Sequence, residues 1–350
     1  MMKYEEFEAL VQEQLGYYLP EGAAFEVMQV PKNNGVQNGV RCWNASSNVS
    51  PIIYLESYYR EYVEGAPIAK VFEELGNACR EYMIEERVDT QRVKDYDWVK
   101  DKVYAILVNG EKNAEYLKGK PYTPVEDLAV VYRILIADHE EGRANVDITD
   151  RLMAHYGIDK ETLHQTAMEN TRRLFPAKIE NLNHMLREMS AMLGVEETTP
   201  AWEEETMSAE EDADMEYSID PLGMHVLTNT RRMYGAVCIL YPDILERIRE
   251  QMDGDFYLLP SSIHEMLIVS KSNGVTYQEL ERMVHEVNAT ELEPEDILSE
   301  HVYSLAEDGR LYRCDLEEQR LKEKREKEIR ETEKTRPATP KQSEPAGPKL

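Results

Sequence analysis

The sequence predicts an α+β protein with mixed, mainly antiparallel sheets and packed helices, arranged as two lobes plus a charged C-terminal tail. Three observations lead there. Apolar residues make up 42% of the 350 positions, enough for an ordinary core. Helical and strand periodicities are interspersed along the chain. Between two expected strands lies only Pro260-Ser261-Ser262, too short for a parallel crossover, which argues against a doubly wound sheet.

Taken in order, Phe7, Leu10, Val11, Gln14 and Leu15 share one helical face, with Gly16 able to close the helix. Phe25 to Val30, Val36 to Trp43 and Ile52 to Tyr54 are rich in branched or aromatic residues and are separated by the turn formers Asn33-Asn34-Gly35 and Ser46-Ser47-Asn48, a β-meander pattern. From Pro67 to about Glu86 the residues Ile68, Val71, Phe72, Leu75, Cys79 and Met83 recur at helical spacing. Val103 to Val108 reads as a strand. Leu128 to Ala137 is apolar on both alternating sets apart from Arg133, as a central strand covered on two faces would be. Ala144 to Ile148 reads as its partner across a turn at Glu140-Glu141-Gly142. Thr149 or Asp150 can cap a short helix, and a longer one begins near Asp159 and is stopped by Pro176.

Residues 1–195 form the expected N-terminal α+β region. Residues 196–216 hold ten acidic residues and no basic one, the pattern of a solvated linker. In the second α+β region, 217–316, the expected order is strand Ala236 to Leu240, helix Pro242 to Met252, strands Phe256 to Leu259 and Ile263 to Val269, helix Tyr277 to Val287, and strands near Val302 and Leu311. The tail, 317–350, carries opposite charges four apart (Glu318 and Lys322, Glu323 and Lys327) with almost no apolar face. It ends in a Pro-rich stretch expected to be disordered.

The formal net charge is −28, from 68 acidic and 40 basic residues, so unpatterned surface repels phosphate and anionic lipid. Neither nucleic acid nor membrane is expected as a partner. The stretch Met1 to Leu10 carries Lys3, Glu5, Glu6 and Glu8, unlike a secretory leader, and the longest apolar run is roughly half a membrane span. Cys42, Cys79, Cys238 and Cys314 are far apart and form no C-x-x-C pair. Reduced thiols in the cytoplasm are the simplest reading.

Chemistry-bearing residues concentrate in Leu259-Pro260-Ser261-Ser262-Ile263-His264-Glu265. Ser262, His264 and Glu265 are the candidate catalytic residues, since hydrolysis needs a hydroxyl, a base and an orienting carboxylate. Adjacent residues of a strand face opposite ways, however, and no G-x-S-x-G elbow is present, so a structural turn is the competing reading. His264-Glu265 and His285-Glu286 lack the second histidine four residues on that zinc capture by a helix requires. No metal site and no cofactor are implied. Asn170-Thr171-Arg172-Arg173 echoes Asn229-Thr230-Arg231-Arg232, and such arginine pairs suit an anion.

Several segments, in order, resemble a bacterial domain-of-unknown-function family, number 5688, common among Firmicutes. They include Asp127-Leu128-Ala129-Val130-Val131-Tyr132, Ala167-Met168-Glu169-Asn170-Thr171, Leu227-Thr228-Asn229, Ile239-Leu240-Tyr241-Pro242 and Leu259 through Glu265. The resemblance runs from about Lys3 to Cys314 and implies no known reaction. A fainter similarity, to the YtpQ-like proteins, rests on the Leu163 to Asn170 helix and the C-terminal strand order. The expected function is that of an intracellular binding or regulatory protein with a protein partner. The alternative is a hydrolase using Ser262 and His264.

Overall fold

The computed structural model describes residues 2–45, 50, 52–83, 91–139, 142–185, 219–220, 223–252 and 254–335. The acidic stretch 196–216, the chain beyond 335, and the expected turns at Ser46-Ser47-Asn48 and Glu140-Glu141 lie outside these residues. The fold is α+β with antiparallel sheets, as the sequence predicts.

Helix α1 (Tyr4–Gln14) buries Phe7 and Val11 and runs into a 3-10 turn, Leu15–Tyr18. The meander follows as β1 (Ala24–Lys32), β2 (Gly35–Trp43) and β3 (Ile52–Tyr54), hydrogen-bonded in that order. Helices α2 (Leu55–Val63) and α3 (Ile68–Tyr82) cover it. On α3, Val71, Phe72, Leu75 and Cys79 are the buried face, the positions the helical spacing picks out. Together with Phe7, Val40 and Leu55 they form a core of their own.

A short helix, α4 (Tyr96–Val99), leads into β4 (Val103–Asn109), and α5 (Ala114–Leu117) into β5 (Tyr122–Val125). Strand β6 (Leu128–His139) is the expected centre: it pairs with β4 on one edge, and on the other with β5 and then β7 (Gly142–Asp147). Thr149 accepts from the Leu152 N–H to cap α6 (Asp150–Tyr156), and Asp159 caps α7 (Lys160–Leu174) in the same way. Helix α7 lies on β4, where the Thr171 hydroxyl accepts from the Ala105 N–H at 2.8 Å.

The third sheet has six strands in the order β13-β12-β10-β11-β9-β8, every neighbouring pair antiparallel. They are β8 (Ala177–Asn181), β9 (Met224–Asn229), β10 (Phe256–Ser262), β11 (Glu265–Ser270), β12 (Tyr303–Leu305) and β13 (Leu311–Arg313). Helices α8 (Pro242–Gln251), α9 (Tyr277–Thr290) and α10 (Cys314–Thr335) complete the chain. Strand β8 precedes the acidic stretch in sequence and β9 follows it, yet the two lie side by side. One apolar cluster extends from Val99 to Leu311 and draws on both the four-stranded and the six-stranded sheet.

Two expectations need correction. Ala236 to Leu240 is not a strand; Gly235–Leu240 is a 3-10 helix, with every residue from Gly235 to Ile239 buried. A short run that is apolar throughout has no period of its own, so burial decides its conformation. In the β10–β11 hairpin, Pro260, Ser261 and Ser262 belong to β10 and the turn is Ile263-His264, closed by the pair Ser262 and Glu265. Polar residues had marked the turn too early. Strands β5, β8 and β9 carry no alternation strong enough to read.

Gly235 sits where a Cβ would lie 2.6 Å from the His264 carbonyl oxygen and 2.8 Å from the Asn229 nitrogen, both backbone atoms. Gly235→Ala should therefore cost about 1–3 kcal/mol of stability in denaturant unfolding; a variant as stable as wild type would show that this contact yields. His225, buried in β9, accepts the Asp220 N–H at Nε2, and burial holds its pKa below the usual histidine value. The unfolded chain takes up this proton near pH 6.5 and the folded one only at lower pH, so stability is lost as the pH falls below about 6.5. His225→Leu should flatten the pH dependence of unfolding in that range, leaving the same-signed contribution of His164. An unchanged slope would contradict this.

Candidate functional site

At the end of β9 the side chain of Asn229, fully buried, organises the loop that follows. Its Oδ1 accepts from the Arg231 N–H at 2.9 Å and its Nδ2 donates to the Met233 carbonyl at 2.8 Å. The loop closes with Arg232 at φ 49° and Tyr234 at φ 54°, a left-handed conformation that non-glycine residues seldom hold. Tyr234 then donates its N–H to His264 Nδ1 at 3.0 Å. That bond makes Nδ1 an acceptor and places the imidazole proton on Nε2, which faces Asp296 Oδ1 at 3.3 Å.

Both ring nitrogens of His264 are thus occupied. The Ser262 hydroxyl, 7% exposed, accepts the His264 backbone N–H at 3.0 Å, and the Ser261 hydroxyl donates to Glu265 at 3.1 Å. The structure brings Ser262, His264 and Glu265 into one turn. The serine oxygen is engaged by the backbone, while the imidazole is engaged by Tyr234 and Asp296, so the three do not form a relay in this state.

Beyond Tyr234 lies a half-buried charge network that no sequence motif announced. The Tyr234 ring is 5.5 Å from the His264 ring and 5.0 Å from the Arg133 guanidinium. Arg133 donates to Asp147 at 2.8 Å and to the Tyr116 hydroxyl at 3.0 Å, and Lys120 donates to the other oxygen of Asp147 at 2.6 Å. Burial works against the Asp147 carboxylate, but Arg133 and Lys120 outweigh it and hold the pKa below the usual value. This accounts for the arginine in an otherwise apolar central strand.

The paired arginines are separately committed. Arg172 bridges to Asp243 at 2.7 Å; Arg173 donates to the Asp101 carbonyl and to Asn170; Arg232 bridges to Glu180 at 2.7 Å. Arg231 contributes its N–H to the loop around Asn229. Sequence reading also passed over Glu281, His301 and Asp315, whose donor atoms lie within 4.8 Å of one another. His301 Nδ1 is 3.4 Å from Glu281, and Arg313 forks onto both oxygens of Asp315 at 2.8 and 3.1 Å, supplying there the charge that a cation would.

A groove of about 730 Å³ opens between α8, the β5–β6 turn and the β12–β13 turn. Val125, Ile239, Leu240, Leu245, Leu305 and Leu311 supply its apolar lining, and Glu126, Glu246, Glu307 and Asp308 its acidic groups. Arg249 is drawn to the Leu305 and Ala306 carbonyls and Arg310 to Glu126. Glu246 and Glu307 have no ion pair among the described residues.

His264→Ala would leave the Tyr234 N–H and Asp296 without their partner, at an expected cost of about 1–2 kcal/mol in denaturant melts. Unchanged stability would turn attention to Ser262, His264 and Glu265 as a place for chemistry.

No curated protein and no solved structure matches the chain. A family model does match, over residues 4–306, covering all three sheets except β13. The chain therefore belongs to the family of unknown function DUF5688.

Proposed function

We propose that the chain is a cytoplasmic binding protein, and that its partner inserts an apolar, positively charged protein segment into the groove between α8 and the two hairpin turns. The observation that carries this reading is the groove's composition. Its lining combines apolar side chains with six charged ones; of these the two arginines are already engaged, while Glu246 and Glu307 have no ion pair among the described residues. An apolar side chain flanked by lysine or arginine meets both requirements, through burial and through charge.

Net charge supports the same class of partner. At −28 the chain draws basic segments toward it and repels phosphate backbones and anionic lipid surfaces. The hydrolase alternative has less support, because both ring nitrogens of His264 face Tyr234 and Asp296 rather than the Ser262 hydroxyl.

The test is a display library of short peptides presenting leucine or phenylalanine beside lysine, arginine, glutamate or neutral residues. Basic members should be selected, should bind more weakly as salt rises, and should lose about tenfold or more in affinity for the doubly reversed variant Glu246→Lys, Glu307→Lys. Equal binding of acidic and basic members, or equal binding by the variant, would overturn the proposal.

A further inference from the structure

Cys42, near the end of β2, and Cys79, in the last turn of α3, are both fully buried in the N-terminal core. The Cys42 and Cys79 sulfurs lie 2.8 Å apart, across 37 positions of sequence, closer than unbonded sulfurs normally come. Two carbon groups at the same place would stand about 3.5–4.0 Å apart. A disulfide bond is about 2.05 Å long, so the sulfurs need less than about 1 Å of further approach to bond. Cys238 and Cys314 are buried in two other clusters, each away from a second thiol among the described residues. Only one pairing is available to the folded chain.

We propose that Cys42 and Cys79 are a disulfide-forming pair, oxidised by exchange with a small-molecule disulfide to staple β2 to α3. Cys79 leads. Arg80 lies near Cys79 and favours the thiolate there, while burial disfavours it at both sulfurs. The Cys79 thiolate attacks one sulfur of the external disulfide, forming a mixed disulfide and releasing one thiolate. Cys42 then loses its proton and attacks the Cys79 sulfur, forming the internal bond and expelling the second thiolate. Two protein thiols are oxidised, one external disulfide is reduced to two thiols, and the protons pass to those thiolates or to solvent. Because both sulfurs are buried, exchange proceeds during folding or through opening of the last turn of α3.

Refolding the reduced full-length chain into a buffer of reduced and oxidised glutathione, followed by acid quenching, alkylation and peptide mapping, tests this without relying on access. The expected result is two alkylated cysteines, Cys238 and Cys314, and one linked peptide joining Cys42 to Cys79, two hydrogens lighter than its parts and released by dithiothreitol. The oxidised chain should melt at a higher temperature than the reduced one. Cys79→Ser should leave Cys42 alkylatable or carrying glutathione, with no internal link. Four alkylated thiols in oxidising buffer, or a link through Cys238 or Cys314, would overturn the proposal.

Discussion

The larger part of the fold depends on burying one short segment, Gly235–Leu240, between two sheets. Its residues from Gly235 to Ile239 are inaccessible to solvent, and the cluster they join reaches Leu107 and Val130 of the four-stranded sheet and Leu227, Leu258 and Ile268 of the six-stranded one. A strand placed there would have presented unpaired backbone groups to an apolar interior. A 3-10 turn satisfies part of its own backbone and presents side chains all round. The cost falls on the residues that deliver the chain to that position, which explains why Arg232 and Tyr234 are left-handed and why Gly235 cannot carry a side chain without displacing backbone.

Around this wedge, buried polar groups set the register between elements that apolar packing alone would leave free to slide. Asp127, 2% exposed in the β5–β6 turn, accepts from the Ser299 hydroxyl at 2.7 Å and the Tyr303 hydroxyl at 2.6 Å, pinning the four-stranded sheet to β12. The N-terminal unit is docked differently. The Asn33-Asn34 turn of β1 and β2 meets Asn113, whose Nδ2 donates to both asparagine side chains, and it meets the carbonyls of Glu295 and Ile297. Amide groups there do between units what leucines do within them, and they leave each unit with an apolar core of its own.

The groove and the His264 turn both follow from this arrangement. The β5–β6 and β12–β13 turns approach because Asp127 ties their strands, and the space left beside α8 is the apolar groove with its acidic groups. His264 lies at the tip of its hairpin because β10 runs through Ser262, and the strained loop after β9 is held against it by Tyr234. Of this neighbourhood the sequence singled out the cluster from Ser261 to Glu265, as polar residues inside an apolar run, the Asn229 to Arg232 segment, and Arg133 in its apolar strand. Tyr234, Asp296 and Arg133 come from other elements, and no local spacing connects them.

By itself the sequence determined the α+β class, the meander, the central position of β6 and where α6 and α7 begin. Each rests on residues close together in the chain, where periodicity and capping act locally. What only the tertiary structure decided is where neighbours along the chain offer no help: the conformation of Gly235–Leu240, the pairing of β8 with β9 across the acidic stretch, the contact of Cys42 with Cys79, and the convergence of Glu281, His301 and Asp315. Each is set by burial and pairing between distant segments, and a pattern read along one strand or helix holds no record of what packs against it.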